Sequence, residues 1–322
     1  MTPSTYPKNV IVGPALCSVV LWFILAVSPS ASAKPVRSIV VSLAEDGGPY
    51  FEQIVRGAEQ GGREVDPRAV VTALSCKNDA AIQMAQLDAF TAQGMDLLII
   101  QRSYVGDSSP AVQRARQAGV TVVAIDVEIP GGTDALIKPD EYQGGMLAAR
   151  YVARRLQGKG TVAIANGPAS SGPLGLRVAG FSEELRRLAP GIAIAENQDT
   201  GMSRVGTRKV VAGYLARHAD LDAIFAVNDP VAYYSELEAL AQQRDHLFIV
   251  GLEGSPRSVA AMQDPQRLIA ASPGEDPFAL AEAAVRLGAE VRQGKRSPGE
   301  TVLMPFCELD RTNVKGYRGW TR

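Results

Sequence analysis

Two aromatic residues, Tyr50 and Phe51, follow the acids Glu45 and Asp46 at a predicted strand-to-helix turn. A turn gives rings little access to a protein core, whereas aromatic faces pack well against the C–H faces of a sugar ring. Carboxylates accept hydrogen bonds from hydroxyl groups. Rings beside acids are therefore typical of a carbohydrate or polyol site. Packing of the first helix on the sheet is the alternative for each ring.

Polar residues follow most of the predicted strands. Ligands of parallel sheets bind at the carboxyl ends of the strands, so these side chains are candidates for the same site. The strand-end candidates are Ser42, Gln101, Asp126, Asn228 and Glu253. Asn and Asp also cap helices, and that interpretation stays open for individual positions.

Motifs of common enzyme classes are missing from the sequence. We find no G-x-S-x-G elbow, no phosphate-binding G-x-x-x-x-G-K-[ST] loop and no G-x-G-x-x-G fingerprint. The two histidines, His218 and His246, have no metal-ligand spacing, so we expect neither a metal nor a cofactor. Asp126 and Glu253 are the residues that a carbohydrate-modifying enzyme would use as acid and base. The absence of a nucleophile favours binding over catalysis.

The elements that must position these residues alternate along the chain. Apolar runs rich in Val, Ile and Ala, without polar alternation, predict strands buried on both faces of a parallel sheet. Helix-period segments separate them, which predicts a doubly wound α/β protein. The predicted strands are IVVSL, AVVTAL, DLLII, VTVVAID, TVAIAN, IAIAE, AIFAV, LFIVGL and LIAAS, and the predicted helices include 79–93, 142–157, 174–188 and 204–218.

The first 33 residues have the composition of a signal peptide. Lys8 lies in a short polar start, an apolar run follows at 19–27, and Ala31 and Ala33 flank Ser32 as in an A-x-A cleavage site. We expect cleavage after Ala33 and export to the periplasm. An uncleaved anchor is the alternative, although the run is shorter than the roughly 20 residues that a span needs.

Length and composition indicate how many domains the chain can form and which partners are improbable. The chain has 322 residues, of which 46% are hydrophobic, enough for two domains, and its net charge of -1 argues against a nucleic-acid partner. An oxidising compartment allows Cys76 and Cys307 to pair. We expect two separate thiols instead.

Several stretches resemble the type I periplasmic binding proteins of the ribose and galactose class, which feed sugar ABC transporters. The most specific are VVSLAEDGGPYF at 40–51, AVNDPVA at 226–232 and VGLEGSP at 250–256. The resemblance covers nearly the whole chain after residue 33. It implies two similar doubly wound α/β lobes, joined by a three-stranded hinge, that close on a ligand.

The resemblance also implies a division of the chain. Residues 34–139 and 274–299 would form the N-terminal lobe. Residues 140–273 and 300–322 would form the C-terminal lobe. Both lobes would then contribute strand-end loops to one cleft.

Ligand-binding roles carry over residue by residue from this resemblance. The family's aromatic pair falls on Tyr50 and Phe51, and its acids fall on Asp126 and Glu253. The remaining family positions fall on Gln101, Arg177, Met202 and Asn228, and we add Ser42 and Asp46 from the first strand end.

Two departures from the family pattern bear on the ligand. Val127 stands where ribose binders commonly carry a second arginine, and Leu252 stands where an aromatic residue is frequent. With fewer donors and rings, sugar alcohols, unusual monosaccharides and amino-cyclitols all remain open.

The resemblance implies a monomeric protein that captures a small sugar or polyol and delivers it to an ABC permease in the membrane. A receptor that presents its ligand to a signalling partner would need the same fold and stays open. Sugar-responsive repressors share the core but carry a DNA-binding segment in front, where this chain has its predicted signal peptide.

Overall fold

The computed structural model describes residues 35–45, 47–168 and 171–321. Each of the predicted strands forms, and strands and helices alternate as expected. The strands are β1 (Ser38–Leu43), β2 (Val70–Ser75), β3 (Leu97–Ile100), β4 (Thr121–Ile125), β5 (Ala135–Pro139), β6 (Gly160–Asn166), β7 (Ile192–Asp199), β8 (Ala223–Ala226), β9 (Phe248–Val250), β10 (Ile269–Ala271) and β11 (Glu300–Met304).

The helices alternate with these strands, and four of them match predicted segments to within about two residues. They are α1 (Gly48–Val65), α2 (Ala80–Ala92), α3 (Ser109–Gln117), α4 (Glu141–Arg155), α5 (Gly172–Leu188), α6 (Arg204–Arg217), α7 (Asp229–Ala241), α8 (Pro256–Gln263) and α9 (Pro277–Arg292), with a 3-10 turn at Val314–Gly316. No helix within the described ranges has the length and apolarity needed to cross a membrane.

Two parallel sheets share one strand order. The first runs β11-β5-β4-β3-β1-β2 and the second β10-β9-β8-β6-β7. Counted within its own lobe, each sheet has the order 2-1-3-4-5, and the first adds β11 at its edge. This order places a topological switch point beside the first strand of each sheet, where ligands of such folds bind.

Both sheets are covered by helices, which is why their strands are apolar on both faces. In the first lobe α1 and α9 cover one face, with a core around Ile39, Ile54 and Leu280, while α2 and α3 cover the other. In the second lobe α4 and α5 cover one face, and α6, α7 and α8 cover the other.

Two helices cross from one lobe to the other. Helix α4 follows β5 of the first sheet but packs on α5, and α9 follows β10 of the second sheet but packs on α1. Glycines permit this packing because a Cβ on Gly145 would lie 2.0 Å from the Arg177 carbonyl oxygen, and one on Gly57 would lie 2.1 Å from that of Phe278. The lobes are thus joined by exchanged helices.

The structure corrects one boundary of the predicted division. Residues 300–304 were assigned to the C-terminal lobe, but Glu300–Met304 pairs with β5 in the first sheet. Strands β5 and β11 were not predicted, because ALIKP contains Lys and Pro and ETVLM alternates exposed and half-buried residues as an edge strand does. The other lobe boundaries stay a prediction.

Cys76 and Cys307 are free thiols, which confirms the expectation of two unpaired cysteines. The predicted signal peptide, residues 1–33, lies outside the described residues.

Candidate ligand-binding site

A cavity of about 880 Å³ lies between the strand ends of the two lobes. Residues from both sheets line it, including most of those predicted from the sequence. The predicted residues that line it are Tyr50, Phe51, Gln101, Asp126, Arg177, Met202, Asn228 and Glu253.

Two of the ten predicted residues do not line the cavity in the described part of the chain. Ser42 is fully buried, and its hydroxyl oxygen accepts a hydrogen bond of 3.0 Å from Gln83 Nε2. We correct that prediction, because Ser42 lies within β1 and its hydroxyl is held by α2 rather than turned to the strand end. Asp46 lies outside the described residues.

Asp126 is the acid of the first-lobe side. Its Oδ2 accepts hydrogen bonds from the Tyr50 hydroxyl at 2.7 Å and from Gln101 Nε2 at 2.5 Å. Burial raises the pKa of Asp126 to about 6, and the two hydrogen bonds partly oppose that rise. The carboxylate therefore has two fixed donors and an acceptor capacity left for a ligand hydroxyl.

Tyr50 and Phe51 fit both roles predicted for them, a wall for a ligand and packing of the first helix on the sheet. Helix α1 begins at Gly48, with Pro49 in its first turn, so the two rings stand on the first turn and face the strand ends. Both rings are half-buried against the core of the first lobe, and both line the cavity. They are packed rings that also form a wall of the site.

Arg177 is the centre of the second-lobe side. It lies in α5, is only 5% exposed, and forms a two-pronged ion pair with Glu141, at 2.5 Å from Nε and 3.1 Å from Nη2. Its Nη1 donates to Glu253 Oε1 at 3.0 Å and to the Val227 carbonyl oxygen at 3.1 Å. Burial lowers the pKa of the guanidinium, but the Glu141 and Glu253 carboxylates outweigh it and raise that pKa.

Glu253 shares that guanidinium with Glu141. Burial raises the pKa of Glu253, while the Arg177 charge acts in the opposite direction. Glu253 also has a left-handed backbone with φ of 123°, and Asp126 has φ of 64°. Such conformations are uncommon in residues other than glycine, and they cluster at binding sites where the surrounding structure holds them.

The two lobes repeat the type and place of these polar groups. Gln101 and Asn228 are amides that follow the third strand of their lobes, β3 and β8. Asp126 and Glu253 are acids that follow the fourth strand, β4 and β9. The repeat places an amide and an acid from each lobe on the wall of one cavity.

Asn228 caps a helix and also lines the cavity. Its Oδ1 caps α7 by accepting from the Val231 N–H at 3.0 Å, as the helix-cap interpretation predicted. Its Nδ2 lies 3.8 Å from the Met202 sulfur, and both side chains line the cavity. Met202 is 41% exposed and leaves an apolar surface at the mouth.

The cavity-wall residues that sequence reasoning missed include Glu141, Glu275, Tyr104 and Trp320. Glu141 begins α4 after the unpredicted strand β5, and Glu275 follows β10, so both carried a strand-end signal that went unused. Tyr104 lies beyond β3. Trp320 comes from the C-terminal end of the chain, where neither strand nor helix predicts its place.

Acidic residues outnumber basic residues on the cavity wall. The Asp126, Glu253 and Glu275 carboxyls lie close enough to affect one another, and burial followed by the Glu253 and Asp126 charges raises the pKa of Glu275 well above its usual range. Within the described ranges no group of His, Cys, Asp and Glu side chains is arranged to hold a metal ion. Ionised carboxylates on this wall accept hydrogen bonds, and a protonated carboxyl also donates one.

Known proteins resemble this chain over most of its length. A family model described as a periplasmic binding protein domain matches residues 39–296. The ribose import binding protein of Bacillus subtilis is 26% identical over 280 residues, covering 84% of this chain and 89% of that protein.

Solved structures share the fold. An arabinose-binding protein from Geobacillus stearothermophilus aligns with a TM-score of 0.80 at 16% identity, covering 88% of this chain and 99% of the other. A solute-binding protein from Bacillus halodurans with bound myo-inositol aligns with a TM-score of 0.73 at 19% identity, covering 89% and 98%. At these identities the likeness extends to the fold.

Proposed function

The chain belongs to the periplasmic binding protein domain family, and from that premise we propose that it captures a small polyhydroxylated ligand, a monosaccharide or sugar alcohol, between its two lobes. The observation that carries the proposal is the cavity at the strand ends, where each lobe contributes an amide and an acid to one wall. The names of its relatives, which include ribose import binding proteins, support the same class of ligand.

Ligand recognition follows from the chemistry of the two walls. Hydroxyl groups donate to the Asp126 and Glu253 carboxylates and accept from the Gln101 and Asn228 amides. Apolar C–H faces pack against the Tyr50 and Phe51 rings. A ligand that contacts both lobes stabilises their closed arrangement, because only that arrangement makes both sets of contacts.

Arg177 supplies a rigid hydrogen-bond donor for the ligand. Its ion pairs with Glu141 and Glu253 hold the guanidinium rigid at the cavity wall, so little side-chain entropy is lost when a ligand oxygen accepts from it. The same pairs hold Glu253 in place as an acceptor.

The remaining parts of the proposal concern the cellular setting. We infer that residues 1–33 direct export and are removed after Ala33, and that the protein acts as a monomer in the periplasm. It then delivers its ligand to an ABC permease, and no catalysis takes place. A signalling partner in place of the permease is the alternative, and a pull-down from solubilised membranes would distinguish the two.

A thermal-shift screen tests the proposed ligand class. The exported protein, purified from the periplasm, is screened against D-ribose, D-arabinose, D-allose, myo-inositol, D-mannitol and D-glucosamine. Binding at a hundred times the dissociation constant stabilises the folded state by about 2.7 kcal/mol, which raises Tm by roughly 4–5 °C in a chain of this size.

The controls separate binding from other effects. Asp126→Asn should reduce the shift to about half or less, whereas Asp220→Asn, in an exposed turn before β8, should keep it. Recovery of the unchanged probe after incubation checks for turnover. No shift with any probe would remove the polyol assignment, and chemical conversion of a probe would favour a carbohydrate-modifying enzyme.

A further inference from the structure

The C-terminal tail, residues 305–321, packs first on the second lobe. Phe306 is buried in the core that α4 and α5 cover. Leu309 and Val314 are buried in the core on the opposite face of the same sheet. The tail is therefore fixed to the second lobe before it reaches the cavity.

Tyr317 fastens the tail beside the cavity. Its hydroxyl donates a hydrogen bond to the carbonyl oxygen of Glu275, the residue whose side chain lines the site. The ring lies against glycine backbone, since a Cβ on Gly274 would come within 2.7 Å of the Tyr317 hydroxyl oxygen. A residue larger than glycine at position 274 would displace the Tyr317 ring.

Trp320 then extends to the first-lobe side of the cleft. Its ring centroid lies 5.5 Å from that of Tyr50, with an interplanar angle of 58°, and it lines the cavity. This is a tilted aromatic contact of the kind that stabilises ring pairs. A segment anchored in the second lobe thus completes the aromatic wall that Tyr50 and Phe51 begin.

The indole N–H of Trp320 has no hydrogen-bond partner among the described residues, although the nitrogen is buried. An indole nitrogen is a donor only, and a buried donor without an acceptor costs free energy. Native proteins satisfy nearly all such groups. In the ligand-free structure the protein itself covers this nitrogen, so an oxygen of a ligand would supply the missing acceptor once the Trp320 side chain closes on that ligand.

We propose that the C-terminal tail is a third wall of the binding site, in which Trp320 packs on the ligand and donates its indole N–H to a ligand oxygen. The inference rests on the proposed function, because it assigns a specificity-determining residue to the same cavity. It explains why the tail is fastened on both sides of the site.

The sequence provides a direct reporter for this proposal. The chain has two tryptophans, Trp22 and Trp320. Removal of residues 1–33 leaves Trp320 as the single tryptophan, so the tryptophan emission of the exported protein comes from this side chain alone. Mass spectrometry of the purified protein establishes that Trp22 has been removed.

The first readout needs no substitution. The exported protein is titrated with whichever of D-ribose, D-arabinose or myo-inositol gives the largest thermal shift, by calorimetry and by tryptophan emission in parallel. We expect a saturable change in emission with the same dissociation constant as the calorimetric one.

Two variants separate the N–H from the ring. Trp320→Phe keeps an aromatic face and removes the donor, so calorimetry should show affinity reduced about 5- to 10-fold. Trp320→Ala removes both, and the reduction should be at least several-fold larger. Arg318→Ala, at an exposed tail position, is the matched control and should bind as the parent does.

The outcomes distinguish this inference from the proposed function. Calorimetric binding without a change in emission, together with parental affinity in Trp320→Phe, would overturn the role of Trp320 and leave the solute-binding function standing. If no probe binds the parent protein, the proposed function fails, and the inference fails with it.

Discussion

The two lobes have the same strand order but present different chemistry to the cavity. The first lobe offers the Tyr50 and Phe51 rings and the acid Asp126, which is held by neutral donors. The second lobe offers a buried guanidinium, Arg177, held between two carboxylates. The amides and acids after the third and fourth strands are common to both.

The difference arises from the helix that follows the first strand of each lobe. Helix α1 carries rings on its first turn, whereas α5 carries Arg177 one turn further in. The repeated strands thus fix where polar groups stand, and the first helix of each lobe decides whether that side packs on a ligand or donates to it. Specificity is therefore divided between an apolar wall and a charged one.

The largest effect should come from breaking the charged wall. Arg177→Ala leaves the buried Glu141 and Glu253 carboxylates without a cation, and removing one partner of a buried ion pair costs about 3–5 kcal/mol of unfolding free energy. Urea denaturation at pH 8 measures this loss. We expect the loss to shrink at pH 5, because burial raises the pKa of Glu253 to about 7 and that carboxylate then takes up a proton.

The matched control for that prediction is an exposed ion pair. Arg286 pairs with Glu64 on the surface of the first lobe, where both side chains are about half exposed. Arg286→Ala should unfold at the parental urea concentration. Equal losses in both variants would contradict the distinction between a buried charged wall and ordinary surface pairs.

The acid Glu275 should destabilise the folded protein at high pH. Burial and the neighbouring acids raise the pKa of Glu275 in the folded protein, so folding favours its protonated form. That contribution to stability is complete below the ordinary glutamate pKa of about 4.3 and is lost as pH rises toward the folded value. Glu275→Gln removes this pH-dependent loss of stability, because a glutamine side chain does not ionise.

We therefore expect Glu275→Gln to raise Tm of the ligand-free protein by about 2–4 °C at pH 8, and by less at pH 5. Scanning calorimetry at both values measures the difference. Glu59→Gln, at an exposed position of α1, is the control. A gain that is the same at the two pH values would show that charge is not its cause.

The smallest effect should come from the ring wall. Tyr50→Phe keeps the aromatic face and removes the hydrogen bond of 2.7 Å to Asp126. Because that bond lowers the pKa of Asp126, its loss should raise the pH below which ligand binding weakens, from about 6. Calorimetry between pH 5 and pH 8 should also show affinity reduced about two- to fivefold at pH 8. An unchanged pH profile would contradict the assigned hydrogen bond.

The sequence predicted the lobes' sheets well because buried parallel strands have an unmistakable composition. Runs such as LLII and TVVAI have no polar alternation, and each became a central strand. Strands β5 and β11 lie toward the edge where the chain crosses between lobes. Edge strand β11 alternates exposed and half-buried residues, and β5, although buried, contains Lys138 and Pro139, so neither has the composition of a central strand.

The site residues also divide into those that the local sequence predicts and those that it does not. Gln101, Asp126, Asn228 and Glu253 were predictable because the strand-end rule depends on the local sequence alone. The prediction for Ser42 was wrong because this residue lies inside β1, one position before the strand ends, and its side chain is buried against a helix. Trp320 was out of reach, because only the three-dimensional path of the tail brings it to Tyr50.

The central claim is that one ligand contacts both lobes at the same time. The most direct measurement is calorimetric titration of the exported protein with the best probe of the screen, repeated on one variant from each lobe, Asp126→Asn and Arg177→Lys. We expect one ligand per chain and affinity reduced at least tenfold in each variant. Parental affinity in either variant would show that the ligand binds to a single lobe and would contradict the account.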